Sequence, residues 1–111
     1  MDWVDTTADA GGTLVIVLRG DIDFTNAADV MQVIRADAAL ATGPDIEVDL
    51  AAVTFLDSSG IAVLVRLLHL AEQRGGQLRL LHPPEKVRDQ LHLAGLAELL
   101  GTSGGSPSWL A

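Results

Sequence analysis

Two adjacent hydroxyls stand between a carboxylate and a glycine at Asp57-Ser58-Ser59-Gly60, and the flanking residues place this tetrad where a strand and loop give way to a helix. The amides of a helix's first turn lack an intrahelical acceptor, so anions are favoured there. A phosphate on Ser58 would gain about 0.3–1 kcal/mol from those amides and the helix dipole, and up to about 2 kcal/mol if partly buried. It would also add about −1.5 to −2 charges beside Asp57, which can turn a protein contact off without unfolding the domain. A plainer role fits the same spacing, in which Asp57 or Ser58 only caps the helix. Spacing leaves both open.

Other chemistry finds less support. A serine hydrolase would need a nucleophile elbow and a base, but Phe55-Leu56-Asp57-Ser58-Ser59-Gly60 is not Gly-x-Ser-x-Gly, and no histidine has a context that marks it as a base. His69, His82 and His92 fall on a helix, a strand end and another helix, without the i, i+4 pairing of a metal site. Asp21 and Asp23 lie two apart on a strand, where they share a face, and no second acidic pair is fixed near them. A solvated edge or contact surface suits them better than a catalytic dyad.

The elements that position the tetrad alternate along the chain. A first strand is expected around Trp3 to Thr7 and, after the Gly11-Gly12 turn, a second from Thr13 to Leu18, whose apolar run suits a strand covered on both faces. Thr25 or Asn26 then reads as a helix N-cap, with Asp29 at capping-box distance from Asn26. Ala27, Val30, Met31, Ile34 and Ala38 give that helix its apolar face, and Gly43-Pro44 stops it. Ile46, Val48 and Leu50 alternate with Glu47 and Asp49 as a strand, and Ala51 to Leu56 reads as a loop leading to the tetrad.

The second helix runs to about Arg74, with Ile61, Leu64, Val65 and Leu68 as its core stripe and Arg66, His69 and Gln73 as a polar one. Its second apolar stripe, Val63, Leu67 and Leu70, either packs under a neighbouring element or stays partly exposed beside Ser58 as a partner contact. A strand at Gln77 to Leu81 follows, then a third helix opened by Pro83-Pro84-Glu85, with Val87, Leu91 and Ala94 on one face. Leu96 to Leu100 reads as a last short strand or helical turn. The pattern predicts one α/β domain with a mixed sheet of four to five strands and about four helices, since the first pair must be a hairpin. Residues 1–100 form that domain, and the Gly/Ser-rich residues 101–111 read as a flexible tail.

Composition bounds the partners. A chain of 111 residues, 49% hydrophobic and 20% charged, has room for one core. Its formal net charge of −8, from 15 acidic against 7 basic residues, disfavours nucleic acid and anionic membrane surfaces. With no cysteine, there is no disulfide framework or Cys-based zinc site. No secretory signal is visible at Met1 to Ala10, and an apolar stretch such as Ile61 to Val65, unsurpassed in length along the chain, is too short to span a bilayer, so a soluble cytoplasmic protein is expected.

The stretch from Asp49 to Leu64, with Asp57-Ser58-Ser59-Gly60 at its centre, resembles the signature of the STAS domain found in bacterial anti-sigma factor antagonists. Leu18-Arg19-Gly20-Asp21-Ile22-Asp23 and Leu93-Ala94-Gly95-Leu96 resemble two further elements of that family, in order and with compatible spacing from about Thr13 to Leu100. Asp21 stands where glutamate is commoner, and Leu56 where methionine also occurs. The resemblance implies a protein-binding module that catalyses nothing and needs no cofactor. Unphosphorylated, it would bind an anti-sigma factor that is also a serine kinase and so release a sigma factor. The kinase would modify Ser58, with Ser59 as the fallback, and a serine phosphatase would restore it. Asp23 would lie near Ser58, making the expected contact surface Asp23, Asp57, Ser58, Ser59, Gly60 and, on the exposed-stripe reading, Leu67. A role as an accessory subunit of a transporter ATPase or sensory complex is the alternative that the same resemblance leaves open.

Overall fold

The computed structural model describes residues 2–100, so the expected tail at 101–111 lies outside the described residues. Strands β1 (Val4–Ala8) and β2 (Leu14–Ile22) form the expected antiparallel hairpin, with Val4 opposite Leu18 and Ala8 opposite Leu14. Its turn is closed by Asp9, whose Oδ1 accepts the N–H groups of Gly11 at 2.9 Å and Thr13 at 3.0 Å. Helix α1 (Ala27–Ala38) leads to β3 (Ile46–Leu56), and α2 (Ser58–Gln73) leads to β4 (Leu78–Leu81). These crossovers lay β2, β3 and β4 parallel, in the sheet order β1-β2-β3-β4. Helix α3 (Glu85–Leu93) and a 3₁₀ turn (Ala97–Leu99) complete a mixed α/β domain, and Leu100 bridges to Leu80.

One face of the sheet holds the core. Val4, Leu14, Ile16, Leu18, Ile46, Val48, Leu50, Leu78 and Leu80 are all buried there, against Val30, Met31, Ile34 and Ala38 of α1 and Val63, Leu64, Leu67 and Ala71 of α2. The opposite face is only partly covered. Val15 and Val17 are half-buried beside Glu47 and Asp49, so β2 is not enclosed on both sides as its apolar run suggested. The cover on that face comes from charged neighbours, including the Arg79–Glu47 pair at 2.9 Å and the Arg19–Asp5 pair at 2.5 Å.

Two strands run further than alternation indicates. Residues 51–56, read as a loop, continue β3 because they pair with an equally extended β2: Arg19 opposite Ala52, Gly20 opposite Val53, Asp21 opposite Phe55 and Ile22 opposite Leu56. Two register shifts interrupt that pairing, and Gly20 between them has φ +73, which a side chain resists. Such irregularities erase the period of two, which is why the extension reads as loop.

Helix α2 is rotated from its expected orientation by about one residue. Gly60, Val63, Leu64, Leu67 and Ala71 are fully buried, whereas Ile61, Val65 and Leu68 are only partly so. The cause lies at its start. A Cβ on Gly60 would collide with the carbonyl oxygen of Ile22 and stand 3.0 Å from Leu56 Cδ2, so only glycine lets α2 approach β2 this closely and fixes which face turns inward. Ala94, expected on the buried face of α3, is instead exposed at its C-cap.

Arg74 stitches the far ends of α1 and α2 together. Its Nη1 donates to Ala38 O at 3.1 Å, and its Nη2 donates to Ala41 O at 2.9 Å and to Gly43 O. The guanidinium thereby satisfies terminal carbonyls of α1 and the connection to β3. Arg74→Met is expected to cost about 1.5–3 kcal/mol, the range for charge-assisted hydrogen bonds, seen as a lower denaturant midpoint at unchanged slope. Arg74→Lys should rescue little, because an ammonium cannot reproduce the planar fork.

Candidate functional site

The parallel strands β2 and β3 end side by side at Ile22 and Leu56. From there the chain passes through Asp57 into α2, and Asp57 holds the junction. Its main-chain N–H donates to Ile22 O at 3.3 Å, and its carbonyl accepts from Ile61 N–H at 2.9 Å. Its Oδ1 accepts from Ser59 N–H at 2.7 Å and Gly60 N–H at 3.0 Å, as a helix N-cap. Its other oxygen, Oδ2, accepts from Phe24 N–H at 3.2 Å, which ties in the turn between β2 and α1. Asp57 is therefore the cap, and two first-turn amides that an anion could take already hold its carboxylate.

Ser58 lies exposed at the first position of α2, Ser59 is half-buried, and Gly60 is buried against Ile22. The hydroxyl singled out for modification is thus at the surface. Leu67 is different. It is 0% exposed within the core formed by the sheet and α2, so the reading of Leu67 as a partner contact is corrected: the stripe Val63–Leu67 packs under the sheet, since the Gly60 contact turns it there.

The turn from Asp23 to Asn26 forms the other wall. Asn26 stands at the N-cap position of α1 but makes no side-chain cap, and no capping box with Asp29 forms. Instead its buried carboxamide closes the turn, Oδ1 accepting from Asp23 N–H at 2.9 Å and Nδ2 donating to Asp21 O at 2.8 Å. Asp23 Oδ1 accepts from the Thr25 hydroxyl at 2.5 Å and Thr25 N–H at 2.9 Å. These bonds, the hydroxyl's first, hold the Asp23 carboxyl below its ordinary value. A carboxyl lowered in the folded state stabilises the fold above its unfolded value of about 3.9, and that contribution is lost as pH falls through the lower folded value. Carboxyl-carbon NMR titration should place the Asp23 midpoint below that of a free aspartate, and Thr25→Val should move it upward.

The far wall comes from α3. Beyond Asp49, β3 has no pairing from β4, and Gln90 pairs with it instead: Leu56 N–H donates to Gln90 Oε1 at 3.3 Å, and Gln90 Nε2 donates to Leu56 O at 2.7 Å. A side-chain amide thus takes the place of a strand at the residue preceding Asp57. Lys86 Nζ stands 5.1 Å from the ring centroid of Phe55, and Thr54 donates to Asp21 Oδ1 at 2.5 Å. Of the predicted site residues, the structure brings Asp23, Asp57, Ser58, Ser59 and Gly60 to one end of the sheet and leaves Leu67 inside. Phe24 and Gln90 were missed. Neither carries a local sequence signal, because each is tied in by a hydrogen bond to a residue more than 30 positions away, Phe24 N–H to the Asp57 carboxylate and Gln90 to the Leu56 main chain.

A mixed sheet whose parallel strands end at a capped Asp-Ser-Ser-Gly turn defines a class, and residues 6–106 match the STAS domain model. The chain belongs to the STAS domain family. Among solved structures, its fold is similar to an anti-sigma factor antagonist from Mycobacterium paratuberculosis, 28% identical, covering 94% of this chain and 88% of that one with a TM-score of 0.72. It is also similar to the anti-sigma factor antagonist SpoIIAA in its unphosphorylated form, 22% identical over 90% of this chain and 87% of that chain, TM-score 0.77. The phosphorylated form of SpoIIAA, from Bacillus, matches with a TM-score of 0.70, at 21% identity and 90% coverage of each chain. A curated relative, a probable sulfate transporter 4.2 of Arabidopsis thaliana, is 29% identical over 101 residues, covering 81% of this chain. The chain spans only about 15% of that transporter's length.

Proposed function

We propose that this chain is an anti-sigma factor antagonist: unphosphorylated, it binds an anti-sigma factor serine kinase and releases a sigma factor, and modification of Ser58 ends the binding. The observation that carries this reading is the exposed Ser58 beside an Asp57 carboxylate that already occupies the first-turn amides. A phosphoryl group arriving there meets a fixed like charge within the contact surface, so its dianion is presented to the partner. The fold beneath has no need to change. In this scheme the chain is the substrate of a kinase and a phosphatase in the cytoplasm and has no catalytic role of its own. The similarity in fold to anti-sigma factor antagonists supports it.

The test is to incubate the purified chain with ATP and each anti-sigma serine kinase of the same cell, then map the product by mass spectrometry. A single phosphoryl group on Ser58, absent from Ser58→Ala, is expected; modification of Ser59 alone would move the switch by one residue, and no modification by any of them would end the reading. The match to part of a sulfate transporter favours a second reading, as the accessory domain of a transport or sensory assembly. It would be preferred if the chain co-purified from native cells with a membrane transporter and carried no phosphate. No helix of the described residues is long and apolar enough to cross a membrane.

A further inference from the structure

Phe24 leaves 78% of its surface in solvent at the turn between β2 and α1. Aromatic side chains, phenylalanine among them, are enriched at protein interfaces relative to the rest of the surface. The turn that carries it is rigidly held: Asn26 and Asp23 bond the main chain on either side of the ring, and Phe24's own N–H is held by Asp57 Oδ2 at 3.2 Å. The same carboxylate caps α2 at Ser59 and Gly60, so the ring and the hydroxyl of Ser58 ride on one hydrogen-bonded unit. A preorganised ring pays little entropy on docking.

The two segments that meet at this end of the sheet carry charge of one sign, and Lys86 of α3 stands over Phe55 beside them. Neither the stretch 20–34 nor the stretch 45–65 contains a lysine, arginine or histidine, while Asp21, Asp23 and Asp57 cluster at the two strand ends. A surface that meets this one is complementary if it offers an apolar socket with basic side chains at its rim.

We infer that Phe24 is the aromatic anchor by which the kinase acting on Ser58 is held, its ring entering an apolar socket whose basic rim faces Asp21, Asp23 and Asp57. This rests on the reading of Ser58 as the phosphorylated residue, and adds to it the residue that supplies binding. Phosphorylation then acts on the same contact that Phe24 anchors, because Asp57 joins the two.

The experiment uses the full chain and the kinase found to modify Ser58, with binding measured by titration calorimetry in the presence of ADP. Phe24→Ala is expected to raise Kd by about 30-fold, the fold-change of a hot-spot residue, with an unchanged thermal midpoint. Phe24→Trp should stay within about threefold of the parent, since it retains the ring. Phe24→Ala binding within about twofold of the parent, well short of a hot-spot effect, would overturn the assignment while leaving the Ser58 reading intact. A parent chain that no such kinase binds or modifies would remove both. As a second readout, 4-benzoylphenylalanine placed at position 24 should crosslink to the kinase on irradiation; crosslinks only between copies of this chain would assign the ring to self-association and overturn the inference.

Discussion

Ser58→Asp is expected to abolish partner binding, raising Kd by about 100-fold or more, while Ser58→Ala binds the anti-sigma kinase as the unmodified protein does and no longer responds to ATP. The magnitude follows from desolvating an added carboxylate in a contact fitted to a neutral hydroxyl, which costs several kcal/mol where tenfold in Kd is about 1.4. The new carboxylate cannot relieve itself by taking the amides of Ser59 and Gly60, because Asp57 Oδ1 accepts from both at 2.7 and 3.0 Å. It stays on the surface as added charge. Placed in the first turn of α2, an aspartate also interacts favourably with the helix dipole, by about 0.3–1 kcal/mol. That gain offsets the repulsion from the neighbouring Asp57 carboxylate, which is of similar size for exposed charges, so the Ser58→Asp chain should melt close to the parent even as it loses its partner. That divergence between a retained fold and a lost contact is what calorimetry alongside thermal unfolding would read. Equal Kd values for the aspartate, alanine and parent chains would sink the assignment of the switch to Ser58.

The legible and illegible parts of the chain divide along a physical line. Hairpin, crossovers and helices declare themselves through period and turn chemistry, and these set the mixed sheet that the structure has. A cap at Asp57 or Ser58 was legible because capping is a local act, and the structure gives it to Asp57, whose carboxylate takes the amides two and three residues on. What escaped is contact at long range. Asn26 has the identity of an N-cap, yet its carboxamide is drawn away to Asp21 and Asp23, where burial at 4% exposure demands partners for all its polar atoms. Gln90 reads as an ordinary polar residue of α3 until β3 is seen to outrun β4 and leave Leu56 in need of a partner. The orientation of α2 is set by Gly60 meeting Ile22, residues 38 positions apart, so two neighbouring apolar stripes could not be ranked from the helix alone.

That ranking decides the second large effect. Leu67→Asp, which would be a surface substitution had the stripe stayed exposed, is expected to unfold the chain. Leu67 is 0% exposed in the same core as Leu64 and Ala71 of α2 and the buried face of the sheet. Removing its side chain alone costs about 2–5 kcal/mol, as Leu67→Ala should show by its denaturant midpoint. A carboxylate in the same place adds a desolvation cost of several kcal/mol with no cation to offset it, and a domain of this size holds only about 5–15 kcal/mol in all. The loss should therefore appear in far-ultraviolet circular dichroism and in collapsed amide shift dispersion, and any loss of partner binding would follow from it. A Leu67→Asp chain that kept its native spectrum yet failed to bind would instead return this residue to the contact surface, and would mean that α2 turns a different face to the sheet in solution.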